Sequence, residues 1–229
     1  MVPAAAPARH RRRRWPLMTW DWEFTGKIVP DLLDGLVVTV QATLLGYVLA
    51  LVLGLAVALA RRVPVLGTAV FAVMEFIRCT PLLVQLVFVF YLAPSYVSAF
   101  TVGVAVLGVH YAAYTAEVYR SGIEGVPPGQ WEACRALSLP AHRTWGAVVL
   151  PQAVRKVIPA LGNYLIAMFK DTPLLFAITV GELMYQASRI GGVHFRYLEA
   201  MTLVGLFFLL VSVPSAIIIR QLERRYAAV

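Results

Sequence analysis

The chain has 229 residues, 60% hydrophobic and only 14% charged, and its mean hydropathy of +0.74 is too apolar for an ordinary soluble domain. A net charge of +8 would suggest nucleic acid in a soluble protein, but beside apolar spans lysine and arginine record membrane orientation instead. Cys79 and Cys134 belong to no C-x-x-C or Cys/His cluster, so neither a disulfide framework nor a zinc site is indicated.

Residues 1–17, MVPAAAPARHRRRRWPL, form a basic arm. It is not a signal peptide, because Asp21, Glu23, Lys27, Asp31 and Asp34 follow where an apolar region is required. The arm is either a disordered extension ahead of a single transmembrane domain, 18–229, or the chain starts at Met18. A helix needs about 20 apolar residues to cross a bilayer, and five stretches qualify: about 36–60, 68–92, 98–119, 158–180 and 200–219. The expected fold is therefore an all-α integral membrane protein with five transmembrane helices. The second and third spans turn near Ala93-Pro94-Ser95. In the first, Ala42, Gly46, Ala50, Gly54 and Ala58 recur every four residues and make a strip for close helix contact.

With a cytoplasmic C-terminus, the inner segments collect Arg61, Arg62, Arg120, Arg135, Arg143, Arg155, Lys156, Arg220, Arg224 and Arg225. The outer side then holds Lys27, Arg189 and Arg196, together with the five arginines of the arm, which fall on the wrong side. The longest polar stretch, 120–156, reads as two short helices. Pro127-Pro128 opens the first, Leu139-Pro140 ends it, and the second stops at Leu150-Pro151. Such a segment lies in the membrane interface or docks in a partner's groove.

An ionisable group at the bilayer centre costs at least about 2.5 kcal/mol and signals a partner or a wet path. Glu75 and Arg78 are three apart and can pair on one helix face. Lys170 and Asp171 are adjacent and face different ways, so each needs its own partner, along a solute pathway or at a subunit contact. Glu117 braces the loop or touches solute. Thr80-Pro81 loosens the second helix, and Gln85 is a candidate lining residue. His110 reads as a packed, hydrogen-bonded histidine rather than a proton relay.

The loop carries a specific pattern. Glu132-Ala133-Cys134, Ser138 after three residues, and Val148-Val149-Leu150-Pro151 after nine more resemble the EAA loop of bacterial ABC importer permeases. Cys134 stands where alanine is usual, and Ser138 where glycine lets the backbone turn. Phe76 to Gln85 (FIRCTPLLVQ), Tyr114 to Ile123 and Met168 to Leu175 resemble blocks of the polar amino acid uptake family. Trp20-Asp21-Trp22, His110-Tyr111 and Asn163 to Met168 are most similar to permease subunits of ectoine/hydroxyectoine importers.

The resemblance implies a type I ABC importer permease-like fold in a bacterial inner membrane, importing a polar amino acid or a zwitterionic compatible solute. It implies that Glu132, Ala133, Cys134, Ser138, Leu150 and Pro151 belong to a coupling loop seated in a cytoplasmic ATPase subunit. The implied partners are a second, different permease subunit, two ATPase subunits and an extracytoplasmic solute-binding protein. No G-x-x-x-x-G-K-[ST] motif is present, so no cofactor is expected in this chain, and ATP with Mg2+ belongs to the ATPase. The alternative is a carrier driven by an ion gradient, disfavoured by the lack of an internal repeat. A membrane enzyme lacks any nucleophile and base pair in the spans.

Overall fold

The computed structural model describes residues 20–227, so the basic arm 1–17 lies outside the described residues. All regular structure in them is helical. Helix α1 (Trp22–Ala60) starts at Asp21, whose carboxylate accepts the Phe24 N–H at 2.9 Å. Its small-residue strip is buried throughout and lies against α4 (Ala99–Glu124). A Cβ on Gly54 would come within 2.0 Å of Thr115 Oγ1, and Thr115 donates to the Ala50 carbonyl at 2.9 Å. The four-residue repeat therefore sets how closely the two helices approach.

α4 is the axis of the molecule. Of its most apolar window 61% is buried, against 28% for α1 and 11% for α9 (Tyr197–Ala227), so the latter two turn broad apolar faces outward. Leu82, Leu86, Val106, Leu107, Leu175 and Ile178 belong to one core around α4.

The remaining spans are not straight rods. The stretch expected at 68–92 is two helices, α2 (Pro64–Cys79) and α3 (Leu82–Leu92), which meet at 105°. Pro81 has no N–H to give the Ile77 carbonyl, and it holds Thr80 in extended backbone. The loop helix α5 (Pro128–Ala136) opens at Pro127-Pro128 as read from the sequence. The second loop helix does not stop at Leu150-Pro151. A short α6 (Ala141–Arg143) passes through a π-helical turn, Thr144–Val149, into α7 (Leu150–Asp171). The wider turn gives the proline ring room, so the helix survives a residue that would otherwise end it.

The span expected at 158–180 changes character part way. After Asp171 the chain tightens into a 3-10 helix, Thr172–Ile178, and Thr179 follows at φ 62°. A further helix absent from the sequence reading, α8 (Leu183–His194), then begins on the Glu182 carboxylate. The helical stretch Ala141–Ile178 and α8 differ in direction by 49°. Three single helices, or five spans if each bent pair counts as one, are long and apolar enough to cross a membrane.

Candidate functional site

Two regions concentrate polar chemistry. The first is the loop between α4 and α7. Its two helices are joined by Trp131 and Trp145, whose rings meet at 5.2 Å and 79°, over a small core of Val126, Val149 and Ala153. Cys134, in the place of the motif's third alanine, is buried within α5. The loop is fastened to the neighbouring helix ends: Arg62 lies 4.8 Å above the Trp145 ring, and Lys156 Nζ donates to the Gly125 carbonyl.

Helix α5 closes in a Schellman motif. Leu139 N–H returns to the Cys134 carbonyl and Ser138 N–H to Arg135, both at 3.0 Å, which requires a left-handed residue between them. That residue is Ser138, at φ 49°. The serine thus adopts the conformation for which the EAA pattern uses glycine. Glu132, Ala133, Ser138, Leu150 and Pro151 are exposed, and among the described residues Glu132 makes no ion pair. Leu137 beside them is 72% exposed.

At the neighbouring helix ends Glu117 accepts from Arg61 at 2.8 Å and also from Arg120, which reaches on to Glu124. Glu117 therefore ties the end of α1 to α4. Glu75 and Arg78 form an ion pair within α2.

The second region is a polar seam along α4. Gln85 does not simply line a path. Its amide nitrogen donates to the Ile77 carbonyl at 2.7 Å and to Thr80 Oγ1 at 2.6 Å, spanning the bend at Pro81. Its oxygen faces His110 Nδ1 at 3.0 Å. Because an amide oxygen only accepts, His110 carries its proton on Nδ1.

One residue further, the Tyr111 hydroxyl donates to Asp171 Oδ2 at 2.6 Å, where α7 gives way to the 3-10 helix. The adjacent Lys170 is exposed and makes no ion pair with a described residue. Tyr111, Tyr114 and Tyr164 gather around this bond, with ring centres 5.5–6.3 Å apart. The sequence reading missed these tyrosines. Tyr111 and Tyr114, three apart in a segment otherwise rich in small and aliphatic residues, were the available signal.

Three long apolar helices and two bent pairs around a polar seam, with a two-helix loop at the arginine-rich end, are the build of a membrane transport component. Residues 46–228 match the family described as binding-protein-dependent transport system inner membrane component, and the chain belongs to that family. It is the permease subunit of an ABC importer, a class of transport subunits rather than enzymes. The probable amino-acid ABC transporter permease protein y4tG of Sinorhizobium fredii is 42% identical over 215 residues, covering 90% of this chain and 93% of that protein. The glutamine transport system permease protein GlnP of Escherichia coli is 34% identical over 215 residues, covering 91% and 98%.

Among solved structures, an amino acid ABC transporter crystallised with histidines matches at a TM-score of 0.85 and 32% identity, over 91% of this chain and 100% of that one. A chain of the inward-facing MetNI methionine ABC transporter, at 0.63 and 18%, over 89% and 99%, shares the fold.

Proposed function

We propose that this permease subunit carries a polar amino acid or a zwitterionic compatible solute, such as ectoine or hydroxyectoine, across a bacterial inner membrane with its C-terminus in the cytoplasm. The loop 120–156 transmits the work of a separate ATPase, which holds ATP and Mg2+. Complete importers contain a second, different permease subunit, two ATPase subunits and an extracytoplasmic solute-binding protein.

The observation that carries the coupling role is the left-handed Ser138 between two helices locked by Trp131 and Trp145. It keeps the joint of the E-A-A pattern and leaves the Glu132 carboxylate bare for a basic group on the ATPase. The amino-acid class is supported by the names of the two permease relatives. The ectoine subclass is supported by Trp20-Asp21-Trp22, His110-Tyr111 and the segment from Asn163 to Met168.

Reconstitution in proteoliposomes tests the mechanism: uptake requires both ATP and the binding protein. Uptake driven by a sodium or proton gradient alone overturns it. Calorimetry of the solute-binding protein that supports uptake through this chain tests the solute, with ectoine expected to bind more tightly than glutamine. The reverse order removes the ectoine reading and leaves the importer reading standing.

A further inference from the structure

Two helical stretches change course at a proline, the α2–α3 bend at Pro81 and the junction of α7 with the 3-10 helix at Pro173, and both are held by α4 through adjacent residues. At the first, Pro81 leaves the Ile77 carbonyl without its helical donor. Gln85, one turn into α3, supplies the missing N–H from its side chain, and Thr80 Oγ1 returns to the Phe76 carbonyl at 2.9 Å. The bend is thus stabilised by a side-chain substitute for a backbone bond, and the far end of that amide is held by His110 of α4.

At the second break, Asp171-Thr172-Pro173 turns α7 into the 3-10 helix. Its carboxylate is held by Tyr111 of α4. His110 and Tyr111 are both buried, and their rings lie 5.6 Å apart.

The pieces beyond the two breaks also share one core. Leu82 and Leu86 of α3 and Leu175 and Ile178 of the 3-10 helix belong to a single cluster. At Gly103 of α4 an added Cβ would lie 2.7 Å from Leu175, so the 3-10 helix has no slack against α4.

We infer that His110 and Tyr111 are positioning residues that join the α2–α3 bend and the α7 break into one mechanical unit, so that neither opens without the other. Neither residue need touch solute for this role. α4 acts as the strut, and the Gln85 amide and the Asp171 carboxylate are its two attachments. The arrangement goes beyond the transport reading and stands on geometry alone.

Hydrogen exchange of the full chain in lipid nanodiscs, with the subunits that copurify with it, tests this without ATP or solute. The variants are Gln85→Met, which keeps length but loses the donor, and Tyr111→Phe, which loses one hydroxyl. Each loosens its own break.

The decisive reading is the other break. Gln85→Met raises exchange in 172–180, and Tyr111→Phe raises it in 77–86, each by about fivefold, a size usual for coupled neighbours in one network. Exchange in α5, which begins 17 residues beyond Tyr111 and packs on the Thr144–Val149 turn rather than on His110 or Tyr111, stays unchanged. Effects confined to the mutated break overturn the inference. So does a rise that includes α5, since that is general loosening. Tyr111→Phe is close to isosteric, so the test survives if Gln85→Met fails to assemble.

Discussion

The Trp131 and Trp145 indoles meet edge to face over Val126, Val149 and Ala153 and join the two helices of the loop. Such a pair adds about 0.5–1.5 kcal/mol beyond the area it covers. Trp131→Ala is expected to leave the spans inserted while the loop becomes a preferred site of limited proteolysis. ATP-driven uptake should fall more than the amount of protein in the membrane. Cleavage and transport both unchanged would show that the pair is not what stiffens the loop.

Ser138 holds a conformation that costs a non-glycine residue about 1–2 kcal/mol. Ser138→Gly is expected to raise the thermal midpoint of the purified protein and keep transport. Ser138→Val, which adds a branched side chain in the left-handed region, should lower both. The ordering Gly, Ser, Val is the measurable outcome.

Glu132 lies exposed with no ion-pair partner in the described chain. Glu132→Ala is expected to weaken copurification of the ATPase by about 1–2 kcal/mol, the size of a significant interface contact, with membrane insertion unaltered. Equal recovery of ATPase with the native and substituted chains would contradict the docking role.

At the opposite end of α1, Arg196 bridges Asp21 at 2.8 Å and the Glu199 carboxylate at 2.9 Å, and Glu199 is 2% exposed. Arg196→Met leaves that buried carboxylate without its cation and should cost about 3 kcal/mol of stability. Adding Glu199→Gln should recover part of it. The Asp21 carboxyl is held below its usual range, first by the Phe24 N–H and further by Arg196. Its folded pKa is lowered, so its contribution is present above the ordinary carboxylate range and lost as pH falls through it. Asp21→Asn should therefore flatten the decline in thermal midpoint below about pH 4.

Gly54 is where α1 and α4 touch. Gly54→Leu has no room beside Thr115 and should cost more than the roughly 1–3 kcal/mol of ordinary overpacking, seen as loss of folded protein in detergent. Gly26, with nothing within 4 Å of an added Cβ, is the matched control and should tolerate alanine.

Patterns that depend on neighbours in the chain were legible in the sequence: the small-residue strip, the opening of α5 at its prolines, and the Glu75–Arg78 pair. Those that depend on distant partners were not. Thr80-Pro81 marks a weak point, but the Gln85 side chain that spans it is held in turn by His110, 25 positions further on. Leu150-Pro151 looked like a stop because proline ends an ordinary α-helix. A π-turn spreads the preceding backbone, and nothing in the local composition announces it. Asp171 was picked out by its charge, whereas its partner Tyr111 is one uncharged aromatic among many.

The length of α1 gives it leverage. From Asp31 to Ala60 it runs for about 45 Å at 1.5 Å per residue, uninterrupted by proline. One end is engaged at Asp31 by Arg189 of α8, and the other leads into the Arg61–Glu117 bond. A tilt of about 5° about either end would carry the other by about 4 Å, more than a hydrogen bond can stretch. Rocking of this helix relative to both α4 and α8 must therefore exchange partners at one of these two points.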